Sequence, residues 1–146
     1  MIFHIGNYGW ARVEIGDDGS IFAGSASYLN DTPIDFLEEF KRCVDNYSTP
    51  TIKCDEEGSE FIIVVDEYRT YVISERDETR FFIWEIDRKE FVKQVLLDIE
   101  SQLDNATHVM YCDESEEELE KRRNEIVESI EYIRKGMKIW VDIPKF

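Results

Sequence analysis

The sequence predicts an α+β fold: an antiparallel sheet made of an N-terminal hairpin and a central meander, with about three helices packed on one face. Three observations carry this. Strand-like runs over residues 51–87 follow one another too closely to hold crossover helices, so they must pair antiparallel. Strands come in blocks and do not alternate with helices, which argues against a parallel α/β sheet. Apolar residues elsewhere recur at helical spacing in long segments. The 146 residues fit one domain, residues 1–146, with no repeat or flexible linker.

Residues 8–15 and 20–28 flank Gly16-Asp-Asp-Gly19, and Asp-Gly between two strand-like runs favours a hairpin because that turn needs positive φ. Asp31 or Thr32 can then cap a helix with Pro33 in its first turn. Ile34, Leu37, Phe40 and Val44 repeat at helical spacing to about Tyr47, and Ser48-Thr-Pro50 ends the helix. Thr51–Cys54 reads as a short strand before the acidic turn Asp55-Glu-Glu-Gly58. Residues 60–66, 69–75 and 80–87 are rich in β-branched and aromatic residues, with turns near Asp66–Arg69 and Glu75–Glu78. Phe82, Trp84 and Ile86 share one side of the last run and Phe81 and Ile83 the other, which predicts a central, largely covered strand.

Residues 88–104 place Phe91, Val95, Ile99 and Leu103 four apart, with Val92 and Leu96 widening the stripe. Residues 115–135 open with Ser115 ahead of Glu118, a capping-box spacing, and close with Arg134-Lys135, favourable for the helix dipole. Leu119, Ile126, Ile130 and Ile133 form its stripe, and Gly136 is the expected terminator. Lys138–Ile143 is expected to return as an edge strand, and Lys121-Arg-Arg123 to make ion pairs within its own helix.

Charge is the most informative global property. Asp and Glu number 33 against 17 Lys and Arg, a formal −16. The excess runs through the chain: residues 1–48 carry 8 acids and 3 bases, residues 49–112 carry 15 and 7, and residues 113–146 carry 10 and 7. Such a field repels polyanions and anionic lipid and attracts cationic protein surfaces, and it also serves solubility. Aromatic residues make up 13% of the chain, so it has the core material that disordered acidic chains lack. Crowded carboxylates predict raised pKa values and stability that rises from neutral pH toward about pH 5–6.

Met1-Ile-Phe-His-Ile-Gly6 has no charged leader region, and the longest apolar run, Phe61–Val65, is far too short for a bilayer. Cys43, Cys54 and Cys112 are odd in number and widely spaced, as reduced thiols are. A cytoplasmic protein is expected.

Catalytic signatures are missing. No Gly-x-Ser-x-Gly, phosphate-binding glycine loop or basic stripe occurs. His108 and Cys112 lie four apart, yet no second close pair completes a zinc site, and Asp55–Gly58 lacks the ligand alternation of a calcium loop. No cofactor, metal or catalytic residue is therefore expected, and the chain reads as a non-enzyme. Surface recognition remains. Acid clusters at residues 55–60, 75–78 and 113–120 are interleaved with Tyr68, Tyr71 and Tyr111, the pattern of aromatic anchors within a steering charged rim. The candidate partner-binding residues are Asp55, Glu56, Glu57, Glu60, Tyr68, Tyr71, Glu75, Asp77 and Glu78.

Two stretches, Ser27-Tyr-Leu-Asn-Asp-Thr-Pro-Ile-Asp-Phe-Leu37 and Cys54-Asp-Glu-Glu-Gly-Ser-Glu-Phe-Ile-Ile-Val65, resemble small acidic immunity proteins of bacterial polymorphic-toxin and contact-dependent-inhibition systems. The shared features are a Tyr-Leu-x-Asp helix start and an acidic turn with Glu-Gly before a hydrophobic strand. The resemblance covers about a quarter of the chain. Relatives commonly have Glu-Pro-Gly at the turn, where Glu57 here precedes Gly58 directly. It implies stoichiometric binding of a basic, nuclease-like toxin domain. The alternatives are an acidic interaction or adaptor domain with no toxin partner, and, third, a small carboxylate-dependent hydrolase.

Overall fold

The computed structural model describes residues 1–6, 10–27, 30–108 and 115–144. They form an α+β fold whose seven strands divide into two antiparallel sheets. Strands β1 (Phe3–Ile5), β2 (Ala11–Ile15) and β3 (Phe22–Ala26) make the first, in that order. Helix α1 (Thr32–Asn46) follows, and then β4 (Thr51–Asp55), β5 (Glu60–Val65), β6 (Thr70–Ser74) and β7 (Arg80–Trp84) form the second as a plain meander. Helices α2 (Arg88–Ser101), α3 (Leu103–Thr107) and α4 (Glu116–Met137) complete the chain.

The sheets meet through aromatic side chains. From β3, Phe22 packs its ring against Phe61 at 5.0 Å and Phe82 at 5.4 Å, which places the hairpin on the inner face of the meander. On the same face of the first sheet, β1 meets α1, where Phe3 stacks on Phe36 at 4.7 Å and Phe36 meets Phe40 edge-on. The buried stripe of α1 is Phe36, Leu37, Phe40 and Cys43, while Ile34 and Val44, expected within it, are half-buried at its margin.

A strand that the sequence reading missed anchors the N-terminus. In β1, Ile2 O accepts from Glu14 N, and Gly6 N donates to Trp10 O, so the antiparallel alternation turns the amides and carbonyls of Phe3 and Ile5 away from β2. Side chains of α2, α3 and the residue between them, Gln102, meet these groups. Asp98 Oδ2 accepts from Ile2 N at 2.7 Å and Phe3 N at 3.0 Å; Gln102 accepts from Ile5 N and donates to Phe3 O; Asn105 donates to Ile5 O. One helix face thus substitutes for a neighbouring strand and closes this sheet edge.

Several expected local roles change. β7 lies at the edge of its sheet, not at its centre, and Phe81 and Ile83 are 59% and 44% exposed. Its two-sided apolar pattern arises because one side packs inward and the other stays open. Asp31 occupies the N-cap of α1 without a capping hydrogen bond; its carboxylate instead takes both Nη atoms of Arg122, at 2.6 and 2.8 Å, while Arg122 also donates to Ala106 O. Arg123 pairs with Asp104. Both arginines therefore tie α4 to other elements, because Asp31, Asp104 and the Ala106 carbonyl lie within their reach. Ser115 does cap α4, accepting from Glu118 N. Gly136 does not end that helix, which runs on to Met137, and Lys138–Ile143 forms no strand. Trp140 instead buries its ring beneath the Arg88 guanidinium, 4.2 Å from the ring centre, and its carbonyl accepts from Lys89.

Candidate functional site

The antiparallel meander brings two acidic turns to one end of the second sheet. In the β4–β5 turn, Glu57 and Gly58 both have positive φ, 59° and 116°, and Glu56 N donates to Ser59 O at 2.9 Å. A two-residue loop with that geometry matches the twist of the flanking strands, which is why glycine serves at position 58. The β6–β7 turn lies alongside, with Glu75 N donating to Glu60 O at 3.0 Å. Its tip also has positive φ, at Asp77.

The candidate acids divide by what they touch. Glu56 is drawn into an internal ion pair with Arg76, whose guanidinium also donates to Ala23 O and lies over the Phe22 ring. Glu57 accepts from Ser27 Oγ at 3.1 Å, and Asp55 Oδ1 accepts from Glu57 N at 2.8 Å. Glu60 pairs with Lys53 at 2.9 Å and Glu78 with Arg80 at 3.2 Å, both near the surface. Glu75 and Asp77 are exposed. A shallow depression of about 580 Å³ lies here, its wall including Asp35, Asp55, Glu60 and Glu75 together with Lys53. Tyr68, 61% exposed, sits at the opposite end of the sheet, in the β5–β6 turn, and so is not brought to the acids. Tyr71 lies between the two ends on the outer face, its ring 5.5 Å from Phe81. The Tyr111 and Cys112 readings, the Tyr28-Leu29 part of the resemblance and the start of the third acid cluster lie outside the described residues.

Sequence reasoning did not find the outer face itself. The strand register sets Thr51, Val64, Tyr71 and Ile83 in one row and Lys53, Ile62, Ile73 and Phe81 in the next. Their inward-facing neighbours, among them Ile52, Cys54, Phe61, Ile63 and Val72, are buried in the core, whereas Ile62, Val64, Tyr71, Ile73, Phe81 and Ile83 are half-buried or exposed. Six apolar side chains thus form a contiguous open patch, larger than scattered surface hydrophobics, with acids at its end. The available signal was the apolar residue at nearly every position of β5–β7, which reads equally as coverage on both faces.

Thiol chemistry is not favoured at the buried cysteines: burial pushes Cys54 up to about 12 and also raises Cys43. Among the described residues no three His, Cys, Asp or Glu side chains converge as metal ligands, and no helix is long and apolar enough to cross a membrane.

Of the described carboxylates, five depart from their ordinary values, and four of these are lowered, opposite to the expectation from crowding. The Arg12 hydrogen bond lowers Glu14, that of Arg134 lowers Glu100, and that of Lys89 lowers Asp142. Burial pushes Glu39 up, but the Arg42 hydrogen bond and the Thr51 amide together outweigh it. Asp35 is raised, by burial and then by Asp31. A lowered folded value contributes stability that is present above the unfolded value, 4.5 for Glu and 3.8 for Asp, and is lost as pH falls through the folded value. Asp35 acts oppositely, its penalty relieved as pH falls through its raised value. With four against one, the melting temperature should stay level from neutral pH to about pH 5 and decline below about pH 4.5. Thermal melts across that range check this; a rise between pH 7 and 5 would mean that repulsion among the unpaired acids dominates.

A scan against protein-family models, a search of curated proteins and a search of solved structures each return no match.

Proposed function

We propose that this chain acts by stoichiometric binding, as an immunity protein that captures a basic, nuclease-like toxin domain in the bacterial cytoplasm. One observation carries the reading: an open apolar sheet face whose end is bordered by two acidic turns. Tyr71, Phe81 and Ile83 supply the desolvated anchors of an interface, and Glu75, Asp77, Glu78 and Asp55 supply a negative rim that draws a cationic surface toward them. The net charge of −16 extends that attraction beyond the contact. A nuclease domain is basic because its substrate is a polyanion, so an acidic face complements it. The immunity resemblance agrees in charge and in the turn that builds the rim.

The test is association kinetics with a candidate toxin domain encoded beside this chain. Steered binding should give an on-rate well above ~10⁵–10⁶ M⁻¹s⁻¹ that falls steeply with salt. Replacing Glu75, Asp77 and Glu78 together by their amides should slow association about tenfold and leave the melting temperature within a few degrees, since these acids are exposed. Replacing Glu56 should lower stability as well, because its carboxylate holds Arg76 against the first sheet. Binding that ignores both salt and the triple replacement would sink the acidic-capture reading. Growth of cells co-expressing toxin and this chain, compared with toxin alone, tests neutralisation directly.

A further inference from the structure

We infer that the partner's contact includes an added β-strand, an extended segment of the basic protein pairing with the open edge of β7; this rests on the binding reading above. The hydrogen-bond parity of the meander singles out that edge. Asp66 N donates to Arg69 O and Glu75 N to Glu60 O, so Tyr71 and Ile73 turn their peptide groups to β5, and Thr70, Val72 and Ser74 turn theirs to β7. Their partners on β7 are Trp84, Phe82 and Arg80. The amides and carbonyls of Phe81 and Ile83 therefore point away from the sheet, and among the described residues nothing pairs with them.

The other edges of the molecule are treated differently. β1 is closed by Asp98, Gln102 and Asn105, β3 is met by Arg76 at Ala23 O, and β4 is met by Glu39 at Thr51 N and, next to the end of β3, by Ser27 N at Asp55 O. β7 is lightly protected: its sequence, Arg80-Phe-Phe-Ile-Trp84, carries one charge at its start but no proline or lysine and no bulge in its register. A strand added there would continue the apolar outer face beyond Phe81 and Ile83. Its inward side chains would reach a cleft of about 730 Å³ whose wall includes Trp84, Ile86 and Leu97 and sets three acids, Asp17, Asp18 and Glu90, against Lys93. Apolar and acidic groups together suit a long basic side chain, its stem against the indole and its head at the carboxylates. Glu78 and Glu85 at the two ends of the strand are already paired with Arg80 and Arg69, so the acids that would favour a basic occupant are those of the cleft. A second copy of this chain, itself at −16, would be repelled.

The experiment is amide hydrogen exchange, read by NMR on the full chain, with and without a short synthetic peptide of alternating lysine and valine. In the free protein Phe81 and Ile83 should exchange quickly beside protected Phe82 and Trp84, and the peptide should slow both at least about tenfold. Ile83→Pro removes only an outward donor, which an edge strand tolerates, and should abolish the protection at Phe81; Ile83→Thr keeps the amide and should retain it. Should Ile83→Pro fail to fold, the parent's exchange pattern decides alone. Peptide binding that leaves Phe81 and Ile83 unprotected overturns strand addition while leaving basic capture intact. So does binding of polylysine but not of the alternating peptide. Protection already present in the free protein and growing with concentration assigns the edge to a second copy and also overturns the proposal. If neither cationic probe binds at low salt, basic capture falls together with strand addition.

Discussion

Asp98→Ala is expected to destabilise the protein by about 3–5 kcal/mol, a large share of the ~5–15 kcal/mol that holds a typical domain together. The carboxylate is 2% exposed on α2 and accepts from Ile2 N, Phe3 N and Gln94 Nε2, at 2.7, 3.0 and 2.8 Å. Truncation leaves two backbone amides facing an apolar interior, each costing about 1–3 kcal/mol, and removes charge-assisted bonds that no water can replace there. Because Ile2 and Phe3 belong to the core, β1 should loosen as a unit, and Phe3 should lose its stacking on Phe36. Asp98→Asn keeps one oxygen for the two amides and should cost roughly 1 kcal/mol. Urea denaturation of both variants checks the pair. An alanine variant within 1 kcal/mol of the parent would mean that β1 is held by its apolar contacts and not by this carboxylate.

Gly136→Ala should also destabilise, against the local preference of a helix. Alanine inside a helix is favoured over glycine by about 1 kcal/mol. At Gly136, however, an added Cβ would lie 2.0 Å from Val44 Cγ1, far inside contact distance, because α4 crosses α1 at this point. Overpacking of this kind typically costs about 1–3 kcal/mol, so the steric effect outweighs the propensity. Val44→Ala should open the space, and Gly136→Ala made in that background should then stabilise. A double-mutant cycle that yields a coupling of at least about 1 kcal/mol confirms the contact. A Gly136→Ala protein more stable than its parent would place the helices further apart than described.

The two cases mark where reading the chain residue by residue stops. Gly136 looks like a terminator because glycine commonly follows a helix, and only the presence of Val44 on another helix makes it an interior contact. Arg122 has Glu118 four residues before it and Glu125 three residues after it along α4, yet its guanidinium is claimed by Asp31, 91 residues earlier. Asp31 was legible as a helix start, but not as the partner of that arginine. β1 is three residues long and offers no periodicity to detect; it exists because Asp98, Gln102 and Asn105 supply the neighbour its edge would otherwise lack. Of the candidate site, the co-location of the two acidic turns was legible, since strands joined by short turns must alternate direction. The separation of Tyr68 from those turns follows from the same rule, whereas the diversion of Glu56 to Arg76 depends on where the first sheet docks.

By itself the sequence determined the α+β class, the antiparallel sense of the meander, the amphipathic faces of α2 and α4, the Ser115 cap and the acidic field. Each of these depends on spacing within a few residues or on composition, so no distant contact can reverse it. Only the tertiary structure decided that the strands split into two sheets, that β7 lies at an edge with Phe81 and Ile83 open, and that the outer face of the meander remains uncovered. Alternating side chains give a strand two faces, but which face is buried, and whether an edge is paired, depends on elements remote in sequence. Phe22 from the hairpin took the inner face of Phe61 and Phe82, the helices closed the remaining inner surface, and the apolar side left over is the one now available to a partner.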